Sequence, residues 1–561
     1  MGLFGTIQTA NTGLQASQLG LQVVGNNVAN SSTPGYIRQR LELETNPATR
    51  MGGLLLGNGV RPTGITQLVD KALMERMFAA GSDKAAGEVL NQAYESLENL
   101  VGSLSGGLRE SMISFNNALH DLSATPNDRS LRDFVILQGE SLARDIRSTF
   151  QSVSDLQGSV NGELANVATS INEKIAGIAK LNVSISTAEG GGAIRSDATG
   201  LREQRYKLIE ELSALVDVHI QEQATGSISV FVGGDFLVAD GIHRDVEKAY
   251  NEKIGGFELQ IRQSQAPLQA NAGRYGALIR SREEVYGSFV SDLDSLASAL
   301  SSTVNEIHTQ GQGRKGFDSL LSSQSGLTGV PLRNAQLIPP PVNGNFEIQL
   351  VDPSGNPISF HRIEVRSTNQ INDSTIDSIV ADINSIDGLS ARINSERKVE
   401  ISSTNPGASF AFANDTSGFL KSIGFNTFFV GSTAKDIDIN PVLKANSDFL
   451  AISRSGISRD TAILTDLVDI VDRPLDSLGG RSVQGVFNEN VAKLGQRISL
   501  QRSITQGAND LHSLLTGQHL GITGVNLDEE SIKMLAYNRS FQANARVITT
   551  ANEMLEILLQ L

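Results

Sequence analysis

Seven histidines, one glycine-rich run carrying both basic residue types, and two aspartates flanking a strand are where this 561-residue sequence would carry chemistry, if any. His120, His219, His243, His308, His361, His512 and His519 are scattered. A zinc centre needs histidines and carboxylates at short fixed spacings such as HExxH, and none is present. The run GQGRKG, 311 to 316, has the glycines of a phosphate cradle. That cradle requires a strand before it and Lys-Ser/Thr opening a helix after it, whereas here a helical pattern precedes and Phe317 follows. It reads as a loop after a helix. The run GGLLLGNGV, 52 to 60, fits a backbone that turns tightly. Asp235 and Asp240 would make a carboxylate pair or a cation seat, but hairpin ends are commonly acidic for solvation alone. Asn-x-Ser/Thr patterns such as those at Asn182, Asn372 and Asn414, and a Gly2-to-Thr6 match to an acylation signal, carry no weight at this length of motif. The residues support no catalytic site, no cofactor and no metal.

Composition narrows the class further. Net charge is −15 and the sequence pI near 5.1, the wrong sign for neutralising a phosphate backbone, so nucleic acid is not an expected partner. Without cysteine there are no disulfides, thiolate metal sites or cysteine nucleophiles. No cleaved signal peptide is visible, and no run reaches the roughly 18 apolar residues of a membrane span. The length allows about four domains of about 150 residues.

The elements that would position any site are long helices. Leu3, Ile7, Ala10, Leu14, Ser17, Leu21, Val24 and Val28 alternate spacings of four and three, which predicts one helical stripe near 40 Å long at about 1.5 Å per residue. Met534, Asn538, Phe541, Ala545, Ile548, Asn552, Leu555 and Leu559 repeat the pattern at the other end, with Asn538 and Asn552 expected on the buried stripe, where asparagine fixes register. The remaining face of both helices is rich in Gln, Asn, Ser and Thr, so the termini read as assembly surfaces. Similar stripes run from Leu90 through Leu104 to Leu119, from Val153 to Ile185, from Val285 to Ile307, and over Val491, Leu494, Ile498, Ile504, Leu511 and Leu515.

Between the helices the period changes to two. SISVFVGGDFLVADG, 227 to 241, predicts a hairpin turning at Gly233-Gly234, with FELQIRQ pairing nearby. NFEIQLVDPSGNPISFHRIEV predicts strand, turn at Asp352 to Gly355, strand. A helix with the stripe Ile376, Ile379, Val380 and Ile383 follows, then further strands. The serine-glycine text at 319 to 329 reads as the linker leading in. The expected fold is mainly α with β insertions: an elongated multidomain protein whose N- and C-terminal parts form a long-helix bundle, with β hairpins and an inserted small α+β domain. The expected divisions are 1–60 as N-terminal assembly helix and exit segment, 61–330 as long-helix bundle with a hairpin region at 218–265, and 331–450 as the inserted outer domain. The chain then returns to the bundle over 451–504 and ends in the assembly helix 505–561.

ANTGLQASQLGLQVVGNNVANSSTPGYIRQ, 10 to 39, resembles the N-terminal signature of bacterial flagellar rod, hook and hook-associated proteins. GVNLDEESIKMLAYNRSFQANARVITTANEMLEILLQL, 524 to 561, resembles their common C-terminus. INEKIAGIAKLN (171 to 182), LREQRYKLIEELSALVDVHI (201 to 220) and LDSLASALSSTVNEIHTQG (293 to 311) are similar to the hook-associated members in particular. The family's Asn-Asn-x-Ala-Asn falls on Asn26, Asn27, Ala29 and Asn30, its Pro-Gly-Tyr on Pro34, Gly35 and Tyr36, and its Asn-Leu-Asp-Glu-Glu on Asn526 to Glu530. Asn538, Arg539, Ser540 and Phe541 depart from the usual YQQAYQANA.

The resemblance implies a non-enzymatic, secreted adaptor at the hook-filament junction of the flagellum, exported unfolded by type III export. Its termini would order only as neighbours arrive. The implied partners are further copies of itself, the hook protein, a second junction protein (hook-associated protein 3) and an export chaperone. The implied assembly residues are Leu14, Leu21, Val24, Asn27, Asn30, Pro34, Gly35, Tyr36, Leu527, Phe541, Ala545, Ile548 and Leu555. Pro34 forbids continuation of the first helix and asparagines cap its end, so that the chain leaves an inner tube for an outer layer. Two alternatives stand beside this reading. A hook or rod protein would be largely β between its termini, and a secreted effector on a coiled-coil frame would need a polar cleft. A secondary adhesive role for residues 335 to 450 also remains open.

Overall fold

The computed structural model describes residues 2–51, 54–190, 197–252, 254–370, 372–468, 470–475 and 478–560. Gly52 and Gly53 of the glycine-leucine run lie outside the described residues, as does the side chain of Leu104. The protein is mainly helical with small sheets. It divides into two compact units, one built from 1–93, 158–282 and 499–561 and the other from 94–157 and 283–498.

In the first unit a helix over Leu3–Ala29 and one over Leu527–Gln560 come from the two ends of the chain. After the first helix the chain forms the strand Gln39–Thr45, paired antiparallel with Val60–Gln67, and between them the short hairpin Thr49–Met51/Leu54–Leu56. The expected 227-to-241 hairpin forms with strands Ile228–Val232 and Asp235–Ala239. Gly233 and Gly234 hold φ of 57° and 92° at its turn, the left-handed pair that a tight two-residue hairpin demands and that glycine adopts without a Cβ clash. His219–Glu222 and Ile242–His243 complete a four-stranded antiparallel sheet. The FELQIRQ strand lies in a separate three-stranded sheet, against Val246–Asn251. The Asp240 carboxylate is used structurally, accepting from Ser227 Oγ at 2.7 Å. Asn182 is buried, its amide spent on the carbonyls of Ile228 and Asp240.

The second unit has two apolar cores. One joins Phe115, Leu119, Leu296, Leu300, Phe428 and Ile439, so residues of the Leu90–Leu119 and Val285–Ile307 stripes share it. The other gathers Phe346, Phe410, Phe412, Phe419 and Phe425 inside the α+β region. There Gly344–Val351 sits between Pro357–Val365 and Ser409–Ala413. Asp352 closes the first turn, its Oδ1 accepting from the amides of Ser354 and Asn356. The helix Ile376–Asn384 starts at a capping box between Thr375 and Ser378. The 319-to-329 text is not a linker. Ser319–Leu321 is a strand paired with Val399–Ser403, and Leu320 and Ser322 are buried. Serine served here because the Ser322 hydroxyl accepts from the Val399 amide at 3.0 Å and donates to the Gln324 carbonyl at 2.8 Å, so the buried serine of this polar-looking run has its hydroxyl paired.

The glycine run at 311 to 316 is a backbone splice, as its sequence context indicates. Gln312 N donates to Ser453 O at 2.7 Å and Arg314 N to Asp448 O at 2.7 Å. A Cβ on Gly313 would lie 2.2 Å from Asp448 O, so this glycine is required for close approach and its neighbours' amides are spent on protein carbonyls. Among the described residues no cluster of His, Asp or Glu has metal-holding geometry, and no helix is long and apolar enough to cross a membrane.

His308 is fully buried beside this splice. Its Nδ1 donates to Asn426 O at 2.8 Å and its Nε2 accepts from the Ala451 amide at 3.0 Å, an arrangement open only to the neutral ring. Burial drives its pKa down from 6.5 to about 4. The unfolded chain therefore takes up this proton first as the medium acidifies. The stabilisation is complete above pH about 6.5 and is lost as pH falls toward 4, by roughly 3 kcal/mol in all. Urea unfolding of the intact protein at pH 7 and 4.5 is expected to show a larger acid loss for the native chain than for His308→Gln, and identical pH slopes would refute the assignment.

Candidate assembly site where the two chain ends meet

The first helix carries no charged residue from Leu3 to Ala29, and the face it buries is built from small groups. Ala10, Ala16, Ser17, Gly20, Val23, Val24 and Asn27 are buried there, with Leu14 and Leu21 half-buried alongside. The last helix lies against it antiparallel, as an ordered set of contacts shows. Asn27 meets Glu530, Ser17 Oγ lies 3.1 Å from Ser540 Oγ, and Cβ atoms on Gly20 and Gly13 would fall 2.5 Å from the Tyr537 ring and 2.7 Å from Asn544. Each step forward on one helix is a step back on the other. Glycine at 13 and 20 lets the backbones approach until large residues of the partner fill the space, the same packing logic that small residues serve between membrane helices.

This register differs from the expected stripe on the last helix. Phe541, Ala545, Ile548 and Leu555 are half-buried on its flank, but Met534, Asn538, Asn552 and Leu559 are exposed. Asn538 accepts from Gln542 at 2.8 Å on the surface instead of fixing register inside. The residues that do set register are Glu530, Tyr537 and Asn544, one heptad apart, whose polar tips hid them from an apolar count.

At one end of the paired helices the two sequence signatures converge. The first helix stops at Asn30, whose Nδ2 donates back to Asn26 O at 2.9 Å. Thr33-Pro34-Gly35-Tyr36 then makes a turn closed by Tyr36 N to Thr33 O at 3.2 Å, with Gly35 at φ 79°. Proline second and a left-handed glycine third are the requirements of a type II turn. Pro34 and Gly35 remain exposed; their part is to bring Tyr36, Arg38 and Gln39 back over Asn27.

Asn27 has no exposed surface, and its carboxamide is fully used. Its Nδ2 donates to Gln39 O at 3.0 Å and Glu530 Oε2 at 2.9 Å, while its Oδ1 accepts from Tyr36 OH at 2.8 Å and Gln39 N at 3.0 Å. Two donors and two acceptors in one planar group suit asparagine and exclude aspartate. Glu530, also fully buried, receives Arg38 Nε at 2.9 Å, Arg38 Nη2 at 2.6 Å and Lys533 Nζ at 3.1 Å on Oε1. Arg38 Nη2 also reaches Glu529 at 2.7 Å. Burial opposes ionisation of Glu530, but the bonds from Asn27, Arg38 and Lys533 outweigh it and hold the carboxyl below its usual value. Burial, with Glu203 and Glu530 nearby, pushes the Tyr36 phenol up to about 12, so it stays a donor. Asn526 Oδ1 accepts from the Asp528 amide at 2.9 Å, capping the last helix behind exposed Leu527. Ile37 N and Gln67 Nε2 both donate to Glu203 Oε1, tying the exit segment to the helix Thr199–Leu215.

Of the residues singled out from sequence, the structure brings Asn27 and Tyr36 into one network, sets Leu14, Leu21, Val24, Phe541, Ala545, Ile548 and Leu555 along the helix pair, and leaves Asn30, Pro34 and Gly35 as the turn that shapes it. Arg38, Gln39, Gly13, Gly20, Tyr537 and Asn544 also belong to the site and carry no apolar or motif signal of their own in the sequence. A paired seven-residue glycine spacing was the available signal for two of them; nothing in the sequence links Arg38 to Glu530.

The network is a polar lock between distant parts of one chain and contains no group poised for catalysis. Comparison with known proteins gives its setting. The description "Flagellar hook-associated protein FlgK helical domain" matches residues 94–319, "Flagellar basal body rod FlgEFG protein C-terminal" matches 517–561, and "Flagella basal body rod protein" matches 7–36. The chain is 25% identical to flagellar hook-associated protein 1 of Salmonella typhimurium over 99% of both chains. It is 23% identical to the protein of that name from Escherichia coli, again over 99% of both. The solved flagellar hook junction protein FlgK from Burkholderia pseudomallei shares the fold, with a TM-score of 0.53 at 15% identity, covering 79% of this chain and 99% of that one.

Proposed function

Because the chain belongs to the flagellar rod, hook and hook-associated protein family, a structural family of the bacterial flagellum and not an enzyme family, we propose that it is the adaptor subunit joining hook to filament. It is exported by the flagellar type III route, polymerises at the distal end of the hook and is required for filament assembly. Its partners are further copies of itself, the hook protein, a second junction protein (hook-associated protein 3) and an export chaperone. Residues 1–60 with 505–561 serve as the inner tube, 61–330 and 451–504 as the helical bundle, and 331–450 as the outer domain. The observation that carries the reading is the lock of Asn27, Arg38 and Glu530, in which the family's two terminal signatures complete each other's hydrogen bonds. The helices Lys71–Ala124, Arg129–Glu189 and Thr199–Leu215 favour this reading over a hook protein, whose middle is expected to be β.

Deleting the gene and imaging negatively stained cells provides the test. Hooks without filaments, with flagellin lost to the medium, are expected. Normal filaments would remove the junction role and bring the effector reading forward.

A further inference from the structure

The helix Val483–Thr523 is turned against expectation where it runs through the first unit. Ile504 and Leu511, assigned to the buried stripe by their spacing, are outside, while Gln501 and Thr505 are inside. Thr505 Oγ1 donates to Gly87 O at 3.0 Å, and Gln501 Nε2 donates to Thr505 Oγ1 at 3.2 Å, so small polar contacts hold the helix down. Leu500, Ile504, Leu511 and Leu514 stand 60%, 54%, 45% and 58% exposed. Their spacing places them on one face, about 21 Å long at about 1.5 Å per residue. Gly507 falls in the middle of that face, and a Cβ there would meet nothing within 4 Å. The result is an apolar stripe with a notch.

A knob of matching chemistry exists on the same chain. Among the described residues the strands Thr49–Met51 and Leu54–Leu56 pair only with each other, and Leu54 and Leu55 are 69% and 74% exposed. A lone two-stranded hairpin is marginal in water, so those leucines need cover. Arg50 sits directly across from Leu55, and Asp510 adjoins Leu511 at the edge of the notch, which puts one base on the knob and one acid beside its seat. Both surfaces stay open within a single copy. A second copy can therefore join them, and a knob-to-notch contact is heterologous, repeating from subunit to subunit without closing as a two-fold pair.

We propose that the Leu54–Leu55 hairpin of one copy docks on the stripe of the next, over Gly507 and between Ile504 and Leu511, with Arg50 beside Asp510. The choice of a second copy as occupant rests on the junction reading; the pairing of surfaces is new to it. Because the chain has no cysteine, Leu55→Cys and Leu511→Cys full-length variants co-expressed in cells lacking the native gene give a clean readout, Leu511 bordering the proposed seat and standing exposed. Mild oxidation of swimming cells is expected to yield a disulfide dimer from the mixture and none from either variant alone. A charge swap reads the same contact without cysteines: Arg50→Glu is expected to reduce swimming and added Asp510→Arg to restore it. Swimming cells that form no dimer, or a swap that restores nothing, overturn the docking and leave the junction role standing. Normal filaments after gene deletion would instead remove the junction role.

Discussion

Arg38→Ala is expected to unlock the two ends of the chain and leave cells with hooks but few or no filaments. The guanidinium is the principal counter-charge to a carboxylate with no solvent exposure. Removing one member of such a pair leaves the other charged in a place water does not reach, at a cost of about 3–5 kcal/mol. At about 1.4 kcal/mol per factor of ten, the paired arrangement becomes at least a hundred-fold rarer. Lys533 and Asn27 cannot replace Arg38, because each supplies a single bond. The direct check is filament number per cell and swarm diameter for Arg38→Ala, Glu530→Gln and the double variant. Glu530→Gln removes the stranded charge, so the double variant is expected to outperform Arg38→Ala. A double variant no better than Arg38→Ala would mean that the ion pair is not what couples the ends.

Gly20→Leu is expected to be the most damaging single change on the uncharged first helix. The Cβ alone would lie 2.5 Å from the Tyr537 ring, and the remaining side chain has nowhere to go unless the helices part. Overpacking costs about 1–3 kcal/mol when a core can adjust and more when backbone must move. Gly25 is the control, since a Cβ there meets nothing within 4 Å. Gly25→Ala should leave swimming intact and raise helix propensity by roughly 1 kcal/mol. Shrinking the partner in Gly20→Leu/Tyr537→Ala is expected to recover filaments in part. Equal loss from Gly20→Leu with and without the Tyr537 change would show that this contact does not govern pairing.

These two residues mark where reading the sequence succeeds and where it stops. The first helix, its stop at Asn30 and the Pro34-Gly35 turn follow from local chemistry, and so do the hairpins at Gly233-Gly234 and Asp352 to Gly355, because capping, proline and positive φ act over a few residues. The register of the last helix does not. Its apolar positions suggested one stripe, but the closest contacts belong to Gly13 and Gly20, which have no hydrophobic signal, and to Glu530, Tyr537 and Asn544, whose polar ends argue for solvent until partners are known. Arg38 and Glu530 are 492 positions apart, so no window joins them. The 319-to-329 segment misled for a related reason: serine composition suggests a linker, and only the position of Val399 shows that the Ser322 hydroxyl has a buried partner. Periodicity points Ile504 and Leu511 inward because it counts apolar residues, whereas the neighbouring helix offers Gly87 and its carbonyl to Thr505.

The fully used carboxamide of Asn27 has a consequence for truncated chains. Its bonds come from residues 36 and 39 on one side and from Glu530 on the other, so the beginning of the chain cannot settle until the end has been delivered. A chain broken off before residue 530, or whose last helix has not yet been made, leaves Asn27 short of an acceptor and Arg38 without its buried anion. Such a chain would keep its first helix and exit segment only loosely joined. The lock thus works as a test of completeness, passed only by a chain that carries both of its ends.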